Sequence, residues 1–268
     1  MSSTPATERP FIPFKTFAGA APGVVDVDAQ VGLESTVVAL GGSGPVPLPD
    51  QRGTAFGFVS SGAVMVETRD GLDYIVGAGE WFVEPSARSI TARTAHGASI
   101  KVAGYAVFRH EYKGLRARGG PVEHAGRLRY IDGCTDTLLF CPVVVGDACI
   151  NLLHFPAGIN QTQHTHPSAR IGMVYKGRGY CIDGHGDRTE LEPGLVFNIP
   201  AGCVHSFFTE DESMDVIAYH PDSDWGPGHG DGITHPMLSR TWVDDAPIDN
   251  QVDKHKPIDI IDGFTGVY

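Results

Sequence analysis

Positive charge is scarce in this sequence: of 268 residues, 20 are Lys or Arg against 32 Asp or Glu, giving a net charge of −12. A polyphosphate backbone is repelled by such a chain, which argues against a nucleic-acid partner. No apolar run approaches the roughly 20 residues of a membrane span, and the start, MSSTPATERPFIPF, lacks the basic-then-apolar order of a secretory signal. The expectation is a cytoplasmic protein without a membrane partner. Cysteine is sparse and odd in number, five with no CxxC pair (Cys134, Cys141, Cys149, Cys181, Cys203), so neither a disulfide framework nor a zinc knuckle is signalled. GxSxG, GxxxxGK[ST] and HExxH are all missing, as is any Rossmann-like glycine run, which removes the commonest hydrolase, nucleotide and zincin signatures. No window carries a long helical period.

What is present is a series of short apolar runs separated by Gly, Pro, Asp and Ser, among 34 glycines and 19 prolines. TAFGFVSSGAVMVETRDG, LDYIVGAGEWFVEP, CINLLHFPAG, IGMVYKGRGYCIDG and LVFNIPAG are examples. Such spacing predicts an all-β chain of sandwich or barrel type. Laying residues 57 to 85 on residues 172 to 200, at a constant offset of 115, exposes a repeat: Gly57, Val59 and Gly62 fall on Gly172, Val174 and Gly177, and Gly79 and Pro85 on Gly194 and Pro200. One β unit used twice accounts for it, because turns that need φ > 0 or a fixed φ recur where the geometry recurs. The basic, glycine-containing stretch 111 to 130 marks a boundary. The organisation expected is a flexible N-terminus over 1–14, a first unit over 15–120, a second over 121–223, and an extended tail over 224–268 that packs on the barrels or on a partner subunit.

Chemistry sits in the second unit. Gly158 is followed after five residues by His164, then by His166, Arg170 and Gly177; Gly194 leads to Pro200-Ala201-Gly202 and then His205. Alternate strand residues share a face, so His164 and His166 can offer two imidazoles to one point. A tight turn at Pro200 to Gly202 can return His205 to the same interior. In the first unit the equivalent positions are Pro49, Gln51 and Ile90, which cannot ligate a metal.

The two blocks resemble the paired motifs of the cupin superfamily, G(x)5HxH(x)3–4E(x)6G and G(x)5PxG(x)2H(x)3N. With the repeat, the resemblance implies two tandem cupin barrels (double-stranded β-helix, jelly-roll), of which the first is degenerate. It also implies one divalent metal held by His164, His166 and His205. Two positions depart from the pattern: Arg170 stands where the motif has its Glu, and Thr209 where it has Asn. The carboxylate ligand is therefore missing, as in some three-histidine cupin dioxygenases. Fe(II) is the first expectation, with Ni, Cu, Zn or Mn as alternatives.

Three neutral imidazoles leave the ion's charge uncompensated, which favours a small anionic, chelating substrate. Arg170 is a candidate to orient it if it faces inward, and turns outward to a surface acid otherwise. His154 on the preceding strand is a candidate hydrogen-bonding support for the ligands. Cys203 reads as a core residue, Tyr175 and Tyr180 as barrel packing, and His220, His229 and His235 as loop packing. The leading expectation is a cupin oxygenase using O2, in a homodimer or higher homo-oligomer. A redox-neutral isomerase, lyase or decarboxylase, and a non-catalytic binding or storage protein, are the alternatives. Because imidazole must be deprotonated to ligate, metal loss is expected on acidification through about pH 6.

Overall fold

The computed structural model describes residues 11–42, 44–93 and 103–223, together with the backbone of a two-stranded pair, Trp242–Val243 with Ala246–Pro247. The rest of the predicted tail, with His229 and His235, and the start of the predicted flexible N-terminus lie outside the described residues. Among the described residues every strand pairing is antiparallel, and the one helical turn among them is the short 3-10 segment Ile131–Gly133. None of the described helices is long and apolar enough to cross a membrane.

Two large sheets dominate. One runs Ala117–Gly119, Glu80–Glu84, Gly53–Ser61, Ala103–His110, Ser35–Leu40, Gly23–Asp28 in spatial order. The other runs Lys15–Phe17, Val196–Ile199, Arg170–Gly177, Met214–His220, Cys149–Phe155, Thr135–Phe140, Leu128–Arg129. Each is backed by a smaller sheet, of four strands upstream and of three downstream (Arg188–Leu191, Gly179–Asp183, His205–Phe208). Equivalent strands of the repeat thus occupy equivalent places, and the fold is all-β with two jelly-roll barrels in tandem. The strand Lys15–Phe17 departs from chain order, pairing with Val196–Ile199 in the downstream sheet.

A contact explains one of the repeated glycines. Gly57 lies opposite Phe82 on the neighbouring strand, and a Cβ there would sit 2.3 Å from the phenylalanine ring. Gly172 lies opposite Phe197, where a Cβ would meet the ring at 2.7 Å. Phe82 and Phe197 are themselves related by the same offset of 115. In each barrel an aromatic ring covers a bare backbone, so any side chain at the glycine displaces it.

The two large sheets also pack face to face. Phe56, Phe58, Tyr105 and Val107 from upstream meet Phe140, Ile150, Leu152, Ile171, Ile217 and Tyr219 from downstream in one buried cluster. The Phe56 and Tyr219 rings lie 5.0 Å apart, and the Tyr105 hydroxyl donates to the Ile217 carbonyl at 3.0 Å. Separate clusters fill the two barrels. In the upstream barrel Ile90, at the position equivalent to His205, is part of that apolar filling. Truncating Phe56 to Ala removes a ring that is 1% exposed. The expected result is a loss of about 3–5 kcal/mol in urea denaturation, in a single transition because the shared core couples both barrels; two separate transitions would contradict that coupling.

Candidate metal centre

His164 and His205 exchange backbone hydrogen bonds, His164 N–H to His205 O at 2.9 Å and His205 N–H to His164 O at 3.0 Å, an isolated antiparallel bridge. His166 lies in the loop beyond it, not on a continuous strand. Its carbonyl accepts from Gly202 N–H at 2.8 Å. Gly202 is the third residue of a turn closed by Cys203 N–H to Pro200 O at 3.0 Å, and its φ of +75° is the left-handed value such a turn requires there. The Pro200-Ala201-Gly202 signal therefore does two things: it returns the chain to place His205, and it clamps the carbonyl of His166.

The three rings converge, with centroids 4.4 to 5.2 Å apart. One nitrogen from each lies within 4.8 Å of the others. The hydrogen bonds fix which nitrogen faces inward. His164 Nδ1–H donates to Thr162 O at 2.8 Å and His205 Nδ1–H donates to Cys203 O at 3.0 Å. That tautomer leaves each Nε2 with its lone pair free. His205 is fully buried and its Nε2 has no hydrogen-bond partner. A buried acceptor left unpaired is costly unless something binds it. The donor set, the locked tautomers and the orphaned nitrogen fit a divalent transition metal.

Arg170 faces the same cavity, the first of the alternative placements raised by the sequence. Its Nη1 donates to Ser168 O at 3.2 Å, to Ser168 Oγ at 2.5 Å and to Ala169 O at 2.9 Å, and it lies 3.5 Å from Asp222 Oδ1. Asp222 in turn accepts from the Ser168 hydroxyl. The guanidinium is thereby anchored beside the imidazoles.

His154 does not join them. Along Cys149–Phe155 the residues Leu153 and Phe155 pack in the barrel while Ile150 and Leu152 face the shared core. His154 shares the latter parity, is absent from the cavity wall, and bonds through Nδ1 to Asp215 Oδ1 at 2.6 Å. The sequence-based expectation of a supporting role for His154 is therefore corrected by the pleat. Cys203 is buried, and burial pushes its thiol up to about 11, a core residue whose carbonyl serves His205. Thr209, in place of the motif's Asn, accepts from Ile159 N–H at 2.9 Å and bonds to Pro156 O, pinning the loop ahead of the histidines.

Two cavity residues were missed from the sequence. His220 was expected to pack in a loop, but it ends the strand Met214–His220 with the inward parity of Met214, Val216 and Ala218. Asp136, from Thr135–Phe140, also lines the cavity and accepts from Asn151 Nδ2 at 2.8 and 3.0 Å. Neither carries a facing signal in the sequence: the strand of His220 is buried at both parities, and the strand of Asp136 shifts register between Leu138 and Phe140.

Burial sets the electrostatics. It is the main cause holding His166 down near 3 and His205 near 4, with Arg170 and neighbouring imidazoles adding to the depression. His220 is pushed well below its ordinary value by burial, then by Arg170 and His166. Burial raises the Asp136 carboxyl, partly offset by the Asn151 amide. The depression at His166 and His205 favours the neutral, ligating form of both rings.

Residues 151–220 match the family described as a cupin domain. Among solved structures, the chain is similar to a putative glyoxylate-induced protein from Pseudomonas aeruginosa, with a TM-score of 0.54 and 16% identity over 82% of this chain and 84% of that one. It is also similar to a glycine-to-alanine mutant of salicylate 1,2-dioxygenase from Pseudoaminobacter salicylatoxidans in complex with gentisate, with a TM-score of 0.50 and 14% identity over 69% and 68% of the two chains. At these identities the likeness is one of fold. No curated protein matches the sequence.

The lowered values make the metal-free protein sensitive to acid. Between about pH 6.5, where unfolded imidazole titrates, and about 4, the unfolded chain binds protons that native His166 and His205 refuse, so stability falls as pH falls. Each such group contributes a slope of up to about 1.4 kcal/mol per pH unit in that window. Urea midpoints of chelator-treated protein at stepped pH are expected to show the decline, and His205→Asn to make it shallower. A midpoint independent of pH over this range would contradict the assignment.

Proposed function

We propose that the protein is a metal-dependent cupin oxygenase acting on a small anionic, chelating substrate, with Fe(II) as its metal and O2 as co-substrate. The observation that carries this reading is the convergence of three imidazole nitrogens, one of them buried and unpaired, beside the anchored Arg170 guanidinium. No carboxylate belongs to the converging set. A dication held by neutral ligands next to a guanidinium selects an anion, and a planar fork suits a carboxylate.

The cavity limits the size of that anion. It measures about 40 Å³, far below the ~300–1,000 Å³ of pockets for drug-sized ligands. A substrate of a few heavy atoms fits without rearrangement. When bound, the metal would supply Lewis acidity and one-electron chemistry with O2. This chain's own residues do the rest. Arg170 neutralises and orients the anion, held at its station by Ser168 and Asp222. Phe197, Ile199, Phe207 and Val216 form an apolar wall that keeps water from the reacting groups. Asp136 can accept a proton from a bound hydroxyl on the same cavity.

Asp136 also favours a second reading. A half-buried carboxylate facing the site is what a redox-neutral isomerase, lyase or decarboxylase needs to carry a proton, with the metal as Lewis acid. Oxygen dependence separates the two.

Metal analysis joined to an oxygen-uptake screen over small diketones, hydroxy acids and thiols tests both. About one equivalent of transition metal per chain is expected, with uptake only when metal and substrate are both present. His164→Ala is expected to abolish stoichiometric metal binding. Arg170→Met is expected to keep the metal and raise KM about 10-fold or more, the loss of a charged hydrogen bond. Turnover without oxygen would transfer the assignment to the redox-neutral class. Protein that holds no metal would return it to a non-catalytic binding role.

A further inference from the structure

The first unit has no ligands of its own, yet among its side chains that reach across to the metal unit, two bond beside cavity histidines. Arg109, on Ala103–His110, donates from Nη1 to Pro221 O at 3.0 Å and from Nη2 to Gly32 O at 2.6 Å. Gln30 donates from Nε2 to Pro167 O at 3.1 Å. Each receiving carbonyl in the second unit belongs to a proline that directly follows a cavity histidine: His220-Pro221 and His166-Pro167. Pro221 is flanked on its other side by Asp222, which tethers Arg170.

Arg109 is only 8% exposed, and no carboxylate lies within salt-bridge range of it among the described residues. Its charge is met by the two carbonyls, by the Tyr112 ring, whose centroid lies 5.8 Å away, and at longer range by the Glu34 and Asp147 carboxylates. A buried guanidinium is costly to place. Here its fork joins a loop of the first unit, at Gly32, to the corner of the second that carries His220 and Asp222. Proline offers no N–H, so the chain at 221 cannot be fixed by a ladder bond from its own amide. The carbonyl is the available handle, and the first unit holds it.

We propose that Arg109 is a positioning residue of the degenerate unit, fixing the His220–Asp222 corner and through it the Arg170 guanidinium, with Gln30 as a weaker second anchor behind His166. This rests on the metal-pocket reading for one of its two readouts only. The first readout needs no metal: histidine-ring NMR of the metal-free full-length chain, comparing Arg109→Met and Arg109→Lys with the parent. The ring signals of His220 are expected to move in Arg109→Met while those of His164, held by its bond to Thr162, stay in place.

The second readout loads the protein with Co(II) and titrates oxalate as a small chelating dianion, followed by the Co(II) absorption spectrum. Arg109→Met is expected to take up Co(II) with unchanged stoichiometry and to bind oxalate about 10-fold more weakly. Arg109→Lys, which keeps the charge and loses the fork, is expected to fall between. If Arg109→Met folds as the parent does and leaves both the His220 signals and the oxalate affinity unchanged, the proposal is overturned. Should Arg109→Met fail to fold, Arg109→Lys decides by the same two readouts, and parental values in both would overturn it. A parent that takes up no Co(II), with His220 signals that still move in the variant, defeats the metal reading and leaves the cross-unit linkage standing.

Discussion

A sheet buried on both faces governs this molecule. In the downstream unit the strands Arg170–Gly177, Met214–His220 and Cys149–Phe155 present one set of alternate residues to the barrel and the other to the core shared with the upstream unit. Over their central residues neither face is wet, so a slip of one residue in any of these strands would exchange barrel contents for interface contents. Ile217 and Tyr219 would enter the barrel, and Val216, Ala218 and His220 would leave it. The register that builds the interface therefore builds the wall of the cavity as well. The site depends on the packing of a unit that contributes no ligand to it.

The same constraint decides how much could be read from the sequence. Turn chemistry was legible because it is local: the HxH pair, the Pro-Ala-Gly turn and the repeated glycines each answer to a geometry within a few residues or across one strand pair, as Gly172 does to Phe197. Facing was not legible. Met-Asp-Val-Ile-Ala-Tyr-His is apolar at both parities because both parities are buried, so the alternation that marks a half-wet strand is missing. His220 was consequently assigned to a loop, and His154 could not be distinguished from an inward residue. Arg170 was undecidable for the same reason, since its strand is closed on either side.

Charge within the cavity follows from burial more than from sequence. His166 and His205 are held toward the neutral form by desolvation, which is the state that can ligate, and Arg170 strengthens that tendency from the same cavity. Arg170 could not remain there uncompensated. Its tether to Ser168 and Asp222 supplies acceptors and a carboxylate. A glutamate at this position would cancel one of the two charges of a bound dication and lessen the proposed pull on an anion. Arginine reverses that preference by adding a positive charge, while the histidines keep the capacity to bind the metal.

That reversal has a consequence at the scale of the whole protein. The chain carries a net charge of −12, so its long-range field repels anions and gives an anionic ligand no steering advantage in approach. In the proposed function, selection would then arise at short range, inside about one Debye length of 8–10 Å, from the guanidinium and a ligated ion acting together in one small cavity. Short-range electrostatics depend on placement to within fractions of an ångström, whereas a diffuse surface field does not. A site of this kind needs rigid neighbours more than charged ones. The shared core, the Pro200-Ala201-Gly202 turn and the carbonyl anchors at Pro167 and Pro221 are where this fold provides them.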